Sequence, residues 1–173
     1  MSDVNEEIVK IYFEEKGFLV RTNLHYTYNG GRSDIDLVIA NMCQLQKRSL
    51  PFVLTNDDIK DIDKAAIEVK GWHTETIAPT TNNFNRLGFI CRKEAVDAVQ
   101  TILGTRDFKK ILVIPALSLE RESETIEILS EFGIDHIIEF KTIMDSLYAS
   151  VNTRKNYDSE ILQTIRLMKI YGL

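Results

Sequence analysis

The spacing of hydrophobic positions changes several times along this chain, and each change marks an element. Near the start, Val4, Ile8, Ile11 and Tyr12 recur at the interval of one helical face and Gly17 follows as a stop, which predicts a helix over roughly 3–16. "FLVRTNLHYTY" then reads as a strand and "NGGRS" as a turn, because Asn-Gly pairs favour positive φ in tight hairpins. "DIDLVIAN" follows as a second strand, antiparallel to the first. "KAAIEVKGW" predicts a third strand, "RKEAVDAVQTILG" a second long helix stopping near Gly104, and "KKILVIPAL" a buried strand. The remainder alternates: helix "ERESETIEILSEFG", strand "DHIIEF", helix "TIMDSLYAS" and a terminal helix within "SEILQTIRLMKIYG". This order is α/β, with an antiparallel first hairpin and parallel later crossovers.

Two stretches fall outside the alternation. Residues 41–63, with "LPFVLT" and the acidic run "NDDIKDID", are too long for a plain connection in a compact domain, so an inserted strand or helical turn is expected there. Residues 73–86, with several Thr and Asn and Pro79, read as a loop beside the end of the third strand.

A chain of 173 residues suits a single domain spanning 1–173. With 44% hydrophobic and 27% charged residues, it has the composition of an ordinary globular protein. No run approaches the roughly 18 apolar residues of a membrane span, and "MSDVNEE" is unlike a secretory signal, so the expected compartment is the cytoplasm. Cys43 and Cys91, far apart and without a nearby His, suggest neither zinc nor a disulfide framework. The net charge of -5 argues against nonspecific coating of nucleic acid, which depends on Lys and Arg neutralising phosphates. The charge is uneven, however. Six basic residues against three acids give Arg86–Lys110 a local +3, while acids gather in "LERESETIEILSEF".

Acids inside the predicted strands are few: Asp34 and Asp36 in "SDIDLV", Glu68 in "IEVK" and Glu139 in "HIIEF". A buried carboxylate needs a metal, a basic partner or exposure. Glu139, beside a strand end, is expected to be solvated; Asp34 shares a strand face with Asp36 and could be a second metal ligand, but just after the turn it is expected to be exposed or capping. Glu68 is flanked by Ala, Ile and Val, and strand alternation puts Lys70 on its face. Two carboxylates from neighbouring strands can hold a hard divalent cation such as Mg²⁺. A lysine beside them can orient or deprotonate an attacking water and balance charge on a pentavalent phosphate. Asp36, Glu68 and Lys70 are therefore sufficient for phosphodiester hydrolysis, although E-x-K alone equally describes a buried ion pair.

The order αβββαβ, with an acid-bearing helix, Asp on the second strand and "IEVK" on the third, resembles the PD-(D/E)XK nuclease superfamily. That family has the restriction-endonuclease-like fold and includes archaeal Holliday-junction resolvases. The resemblance covers about 3–116, with 41–63 as an insertion and 117–173 as a C-terminal α-β-α-α extension. It implies a mixed sheet flanked by helices and a Mg²⁺-dependent endonuclease acting on DNA, with Mn²⁺ as a substitute ion. It further implies Asp36 and Glu68 as metal ligands and Lys70 as base or charge stabiliser. Glu6 or Glu7 on the first helix would complete the site, with Glu6 favoured because its spacing to "EKGF" looks like that of relatives. "SDIDLV" departs from a literal Pro-Asp. Cutting both strands of a duplex would suit a homodimer.

Around this core, His73, Arg86, Arg92 and Lys93 are candidate nucleic-acid contacts, and Trp72 could stack on a base or pack at the core edge. Gln100 could face the site. Arg154, Lys155, Arg166 and Lys169 read as a basic surface rather than as readers of bases. Two rival functions remain. One is an inactive nucleic-acid-binding or assembly subunit in which Glu68 and Lys70 are a structural pair; the other is a carboxylate-pair glycosidase, which leaves Lys70 without a role.

Overall fold

The computed structural model describes residues 4–42, 48–71 and 89–172. Its elements are α1 (Val4–Glu15), β1 (Phe18–Tyr28), β2 (Gly31–Asn41), β3 (Lys64–Val69), α2 (Lys93–Leu103), β4 (Lys109–Ile114), α3 (Glu122–Glu131), β5 (His136–Glu139), α4 (Phe140–Ser150) and α5 (Glu160–Tyr171). They form a mixed α/β fold whose five strands lie in the order β1-β2-β3-β4-β5. The β1/β2 and β2/β3 pairs are antiparallel, while β3/β4 and β4/β5 are parallel. Among the described residues no helix is long and apolar enough to cross a membrane.

The strand alternation sends one set of side chains to each face. Leu37, Ile39, Ala65, Ile67, Ile111 and Val113 pack with residues of α1, α4 and α5. Val38, Ala66, Leu112, Ile114 and Ile137 pack with Ala95 and Val99 of α2 and Leu129 of α3. Helices thus cover both faces, which is why β4 reads as continuously apolar.

The first turn is tighter than "NGGRS" suggested. Asn29 (φ 49°) and Gly30 (φ 74°) form a two-residue connection with both central φ values positive, and β2 starts at Gly31. The hairpin also changes sides along its length. Phe18, Val20, Leu37 and Ile39 near its base belong to the α1 face, whereas Leu24, Tyr26 and Ile35 belong to the α2 face. The crossover lies between the pairs Thr22↔Leu37 and Leu24↔Ile35, where Asn23 takes a left-handed φ of 52°. Leu37↔Ile67 is also where the β2/β3 ladder ends. Beyond it the hairpin turns over α2, and Asp36 is the residue at the bend.

The 41–63 insertion contains both expected features, a 3₁₀ turn over Ile59–Asp61 and a short extended piece. Rather than staying near β2, it reaches the far edge of the sheet. There Leu54 N donates to Ile137 O at 2.9 Å, and Ile137 N donates to Phe52 O at 2.8 Å. A His136 Nδ1···Pro51 O contact of 2.8 Å holds the same segment. The insertion therefore closes the β5 edge, and Leu54, Ile59 and Ile62 join the core of the α1 face.

Candidate functional site

The end of β3 carries the chemistry because the sheet pairing changes there. Glu68, pointing to the α2 side by alternation with Ala66, is 4% exposed. With the β2/β3 ladder finished at Ile67, the Val69 N–H has no β2 carbonyl to meet and donates instead to Asp36 Oδ2 at 2.6 Å. Lys70 N donates to Val113 O at 2.9 Å, extending the register to β4, and Lys70 Nζ donates to Glu68 Oε1 at 2.5 Å. Asp36, Glu68 and Lys70, 34 positions apart at the extremes of the sequence, thus converge on one strand end.

Both carboxyls are held above their ordinary range. Burial, then the Glu68 charge, pushes the Asp36 carboxyl up to about 7, with Glu6 adding to the rise; the Val69 N–H and Lys70 pull the other way. Burial also raises Glu68, opposed by Lys70 and reinforced by Asp34 and Glu6. The second Glu68 oxygen, Oε2, is buried with no hydrogen-bond partner among the described residues. Such an orphaned buried oxygen is a place for a hard cation, since Mg²⁺ takes oxygen ligands and is commonly held by one or two carboxylates. No group of three His, Cys, Asp or Glu side chains arranged to hold a metal occurs among the described residues. Asp36 and Glu68 are the two carboxylates that meet at this strand end, and the Glu6 charge reaches both.

The two first-turn glutamates are separated by their surroundings. Glu7 pairs with Lys10 at 3.1 Å and points along its own helix, whereas Glu6 is the one whose charge reaches both Asp36 and Glu68. The start of α1 is seated against the end of β3 through Asn5 and Gly71. Asn5 is buried, and a Cβ on Gly71 would lie 2.1 Å from its Nδ2, so only glycine allows this approach. Asn5 has no signal in the sequence; for Gly71 the available signal is a glycine in "EVKGW", just past a strand bearing a buried carboxylate. A cleft of about 260 Å³ opens beside them, bordered by Asn5, Lys70, Gly71, Pro115, Phe140 and Met144.

Other expectations are corrected or refined. Glu139 is not simply solvated: half-buried at the end of β5, it accepts from Leu117 N at 2.9 Å, because the loop after β4 brings an unpaired N–H to it. Asp34 is exposed. Gln100 does not face the site, since its Oε1 accepts from Arg106 Nε at 2.6 Å, drawn to the C-terminal end of α2. Part of the basic Arg86–Lys110 stretch is neutralised locally, Arg106 by Asp97 and Lys109 by Asp135. Lys93 is exposed, and Arg92 lies with its guanidinium carbon 3.8 Å from the Tyr28 ring centre and 4.1 Å from that of Phe89. Of the terminal basic set, Lys169 caps α4 by donating to Tyr148 O and Val151 O, and Arg166 donates to Thr153 O. Trp72, His73, Arg86 and Cys43 lie outside the described residues.

No family model and no curated protein matches this chain. A solved chain entitled "Crystal Structure of Protein of Unknown Function AF1548" is similar at 17% identity and a TM-score of 0.47, over 97% of this chain and 77% of that one.

Proposed function

We propose that this chain is a metal-dependent endonuclease of the PD-(D/E)XK type, hydrolysing phosphodiester bonds of DNA with Mg²⁺ or Mn²⁺. The observation that carries the proposal is the meeting of Asp36, Glu68 and Lys70 at the end of β3, with one Glu68 oxygen buried and unpartnered among the described residues. Asp36 and Glu68 would hold the ion, and Glu6 would add negative charge from the start of α1. When bound, the ion supplies Lewis acidity at the scissile phosphate. Lys70, which donates to Glu68 Oε1, would orient the attacking water and balance charge developing on the phosphate. The core would then be the αβββαβ unit of that superfamily, with the edge-closing insertion and α3–β5–α4–α5 as additions to it.

The assay is cleavage of supercoiled, branched and single-stranded DNA with Mg²⁺, comparing wild type with Asp36→Ala and Lys70→Ala. Both variants should lose activity by at least 100-fold, the scale of removing a group that acts in the transition state. Unchanged activity in both would sink the assignment.

A second reading has its own observation. The Lys70–Glu68 contact, with no three-ligand group among the described residues, also suits a catalytically inactive nucleic-acid-binding or assembly subunit with a structural ion pair. Calorimetric titration with Mn²⁺ separates the two, because only the nuclease reading requires an ion bound through Asp36 and Glu68.

A further inference from the structure

Arg92 is held in an unusual way for a charged surface residue. Its guanidinium carbon lies over two aromatic rings, Tyr28 at the hairpin tip and Phe89 ahead of α2, 3.8 and 4.1 Å from their centres. No carboxylate or carbonyl accepts from its side chain among the described residues, in contrast to Arg48, Arg106, Arg121 and Arg166, each of which is paired. Two aromatic faces hold a guanidinium through its charge while leaving the N–H edges in the plane unused. Much of the rotamer entropy an arginine loses on gripping an anion is already lost here, so the side chain is preorganised for a bidentate contact.

The Phe89 ring links this arginine to the site. Lys70 Nζ lies 5.6 Å from the centre of the ring that stacks on Arg92, so the two cations are at most about 10 Å apart. Lys70 has the Glu68 carboxylate beside it as a counter-ion, whereas no carboxylate among the described residues pairs with Arg92, which is left to attract an anion of its own. A nucleic-acid backbone carries one anion per 3.4 Å of rise along each strand, so a span of at most about 10 Å covers no more than about three successive phosphates.

We propose, resting on the nuclease reading above, that Arg92 is a substrate-positioning residue that grips a non-scissile backbone phosphate of the strand being cut, with Tyr28 and Phe89 as its aromatic clamp. Arg92→Met keeps most of the stem packing and removes the charge and the fork. Arg92→Lys keeps the charge alone, and Phe89→Leu opens the clamp.

The test measures duplex binding by fluorescence anisotropy in EDTA at several KCl concentrations, which removes divalent competition, together with kcat and KM for cleavage in Mg²⁺. Arg92→Met should bind about tenfold more weakly at 0.1 M KCl, and its log K against log [KCl] slope should be shallower by about 0.9, the value of one lost phosphate contact on duplex DNA. KM should rise by more than kcat falls, with Arg92→Lys and Phe89→Leu intermediate. A salt slope equal to that of wild type in all three variants, whose unfolding midpoints serve as folding controls, overturns the proposal while leaving the nuclease reading intact. Absence of both binding and cleavage by the wild type overturns both.

Discussion

Replacing Asp36 with Asn should make the metal-free protein more stable at alkaline pH while removing the proposed nuclease activity. The Asp36 carboxyl ionises at about 7 in the fold against 3.8 as an ordinary carboxyl, chiefly because it is buried and then because Glu68 is beside it. Between those values the folded state keeps a proton that the unfolded chain has released, so this group lowers stability as pH rises. The loss is nearly complete above pH 7. Asn at the same position cannot ionise and still offers an oxygen to the Val69 N–H, now at 2.6 Å from Asp36. Constant effects of the substitution cancel when two pH values are compared. From pH 5 to pH 8, the advantage of Asp36→Asn should grow by about 1–3 kcal/mol at roughly 1.4 kcal/mol per pH unit, the range reflecting how far Glu68 shares the titration. Urea unfolding of both proteins in EDTA at the two pH values measures it, provided the m values agree. An advantage that stays constant, or shrinks, from pH 5 to pH 8 would refute the claim that Asp36 is held out of its ordinary range.

Three further outcomes follow from the same geometry. Mn²⁺ at about 100 times its dissociation constant should stabilise the wild type by roughly 2.7 kcal/mol and Asp36→Asn much less, read as a thermal shift; equal shifts would place the ion elsewhere. Gly71→Ala should cost about 1–3 kcal/mol, because the new Cβ falls 2.1 Å from Asn5 Nδ2 and 2.8 Å from its Cγ. Adding Asn5→Ala should recover most of that loss in the double variant, since the remaining Cβ contact of 3.4 Å is ordinary. At the insertion, burial pushes Asp58 up, but hydrogen bonds from Thr55 and the nearby Arg48 outweigh it and hold the carboxyl below its ordinary range. That stabilisation is present above about pH 4 and lost as pH falls through the folded value, so Asp58→Asn should cost about 1 kcal/mol at pH 7 and less near pH 3, measured by urea unfolding.

The elements of the fold were legible because the apolar period changes cleanly at each one, and "KKILVIPAL" and "KAAIEVKGW" announce strands buried on both faces. Alternation also placed Glu68 and Lys70 side by side. What the sequence could not carry was long-range placement. Nothing in "LPFVLT" says that Phe52 and Leu54 pair with Ile137 at the opposite edge, because an extended segment carries no address for its partner. Glu139 was misread for a related reason: its partner, the Leu117 N–H, arrives from a different loop. Asn23 is an ordinary strand residue by composition, and only its positive φ reveals the bend that presents Asp36 to Val69. The choice between Glu6 and Glu7 turned on a helix rotation too small for apolar periodicity to fix, and the Lys10 pairing of Glu7 separates them.

The arrangement also bears on which of the two functional readings accounts for more of the residues. A structural ion pair needs Glu68 and Lys70 and nothing else, and buried pairs of that kind are commonly no more stable than apolar residues of similar size. Asp36 adds a third ionisable group to the same buried corner, where the Glu68 charge raises it, and Glu6 raises it further. Lys70 is already engaged by Glu68, so it offsets only part of that repulsion. A protein selected for stability alone would gain by an amide at position 36, which keeps the Val69 hydrogen bond and loses the charge. A carboxylate there has a physical use when a divalent cation is drawn to the same corner, because the repulsion between the carboxylates is then converted into affinity for the ion. The Asp36→Asn comparison and the Mn²⁺ shift measure the two sides of that exchange separately, and a structural pair would produce the first without the second.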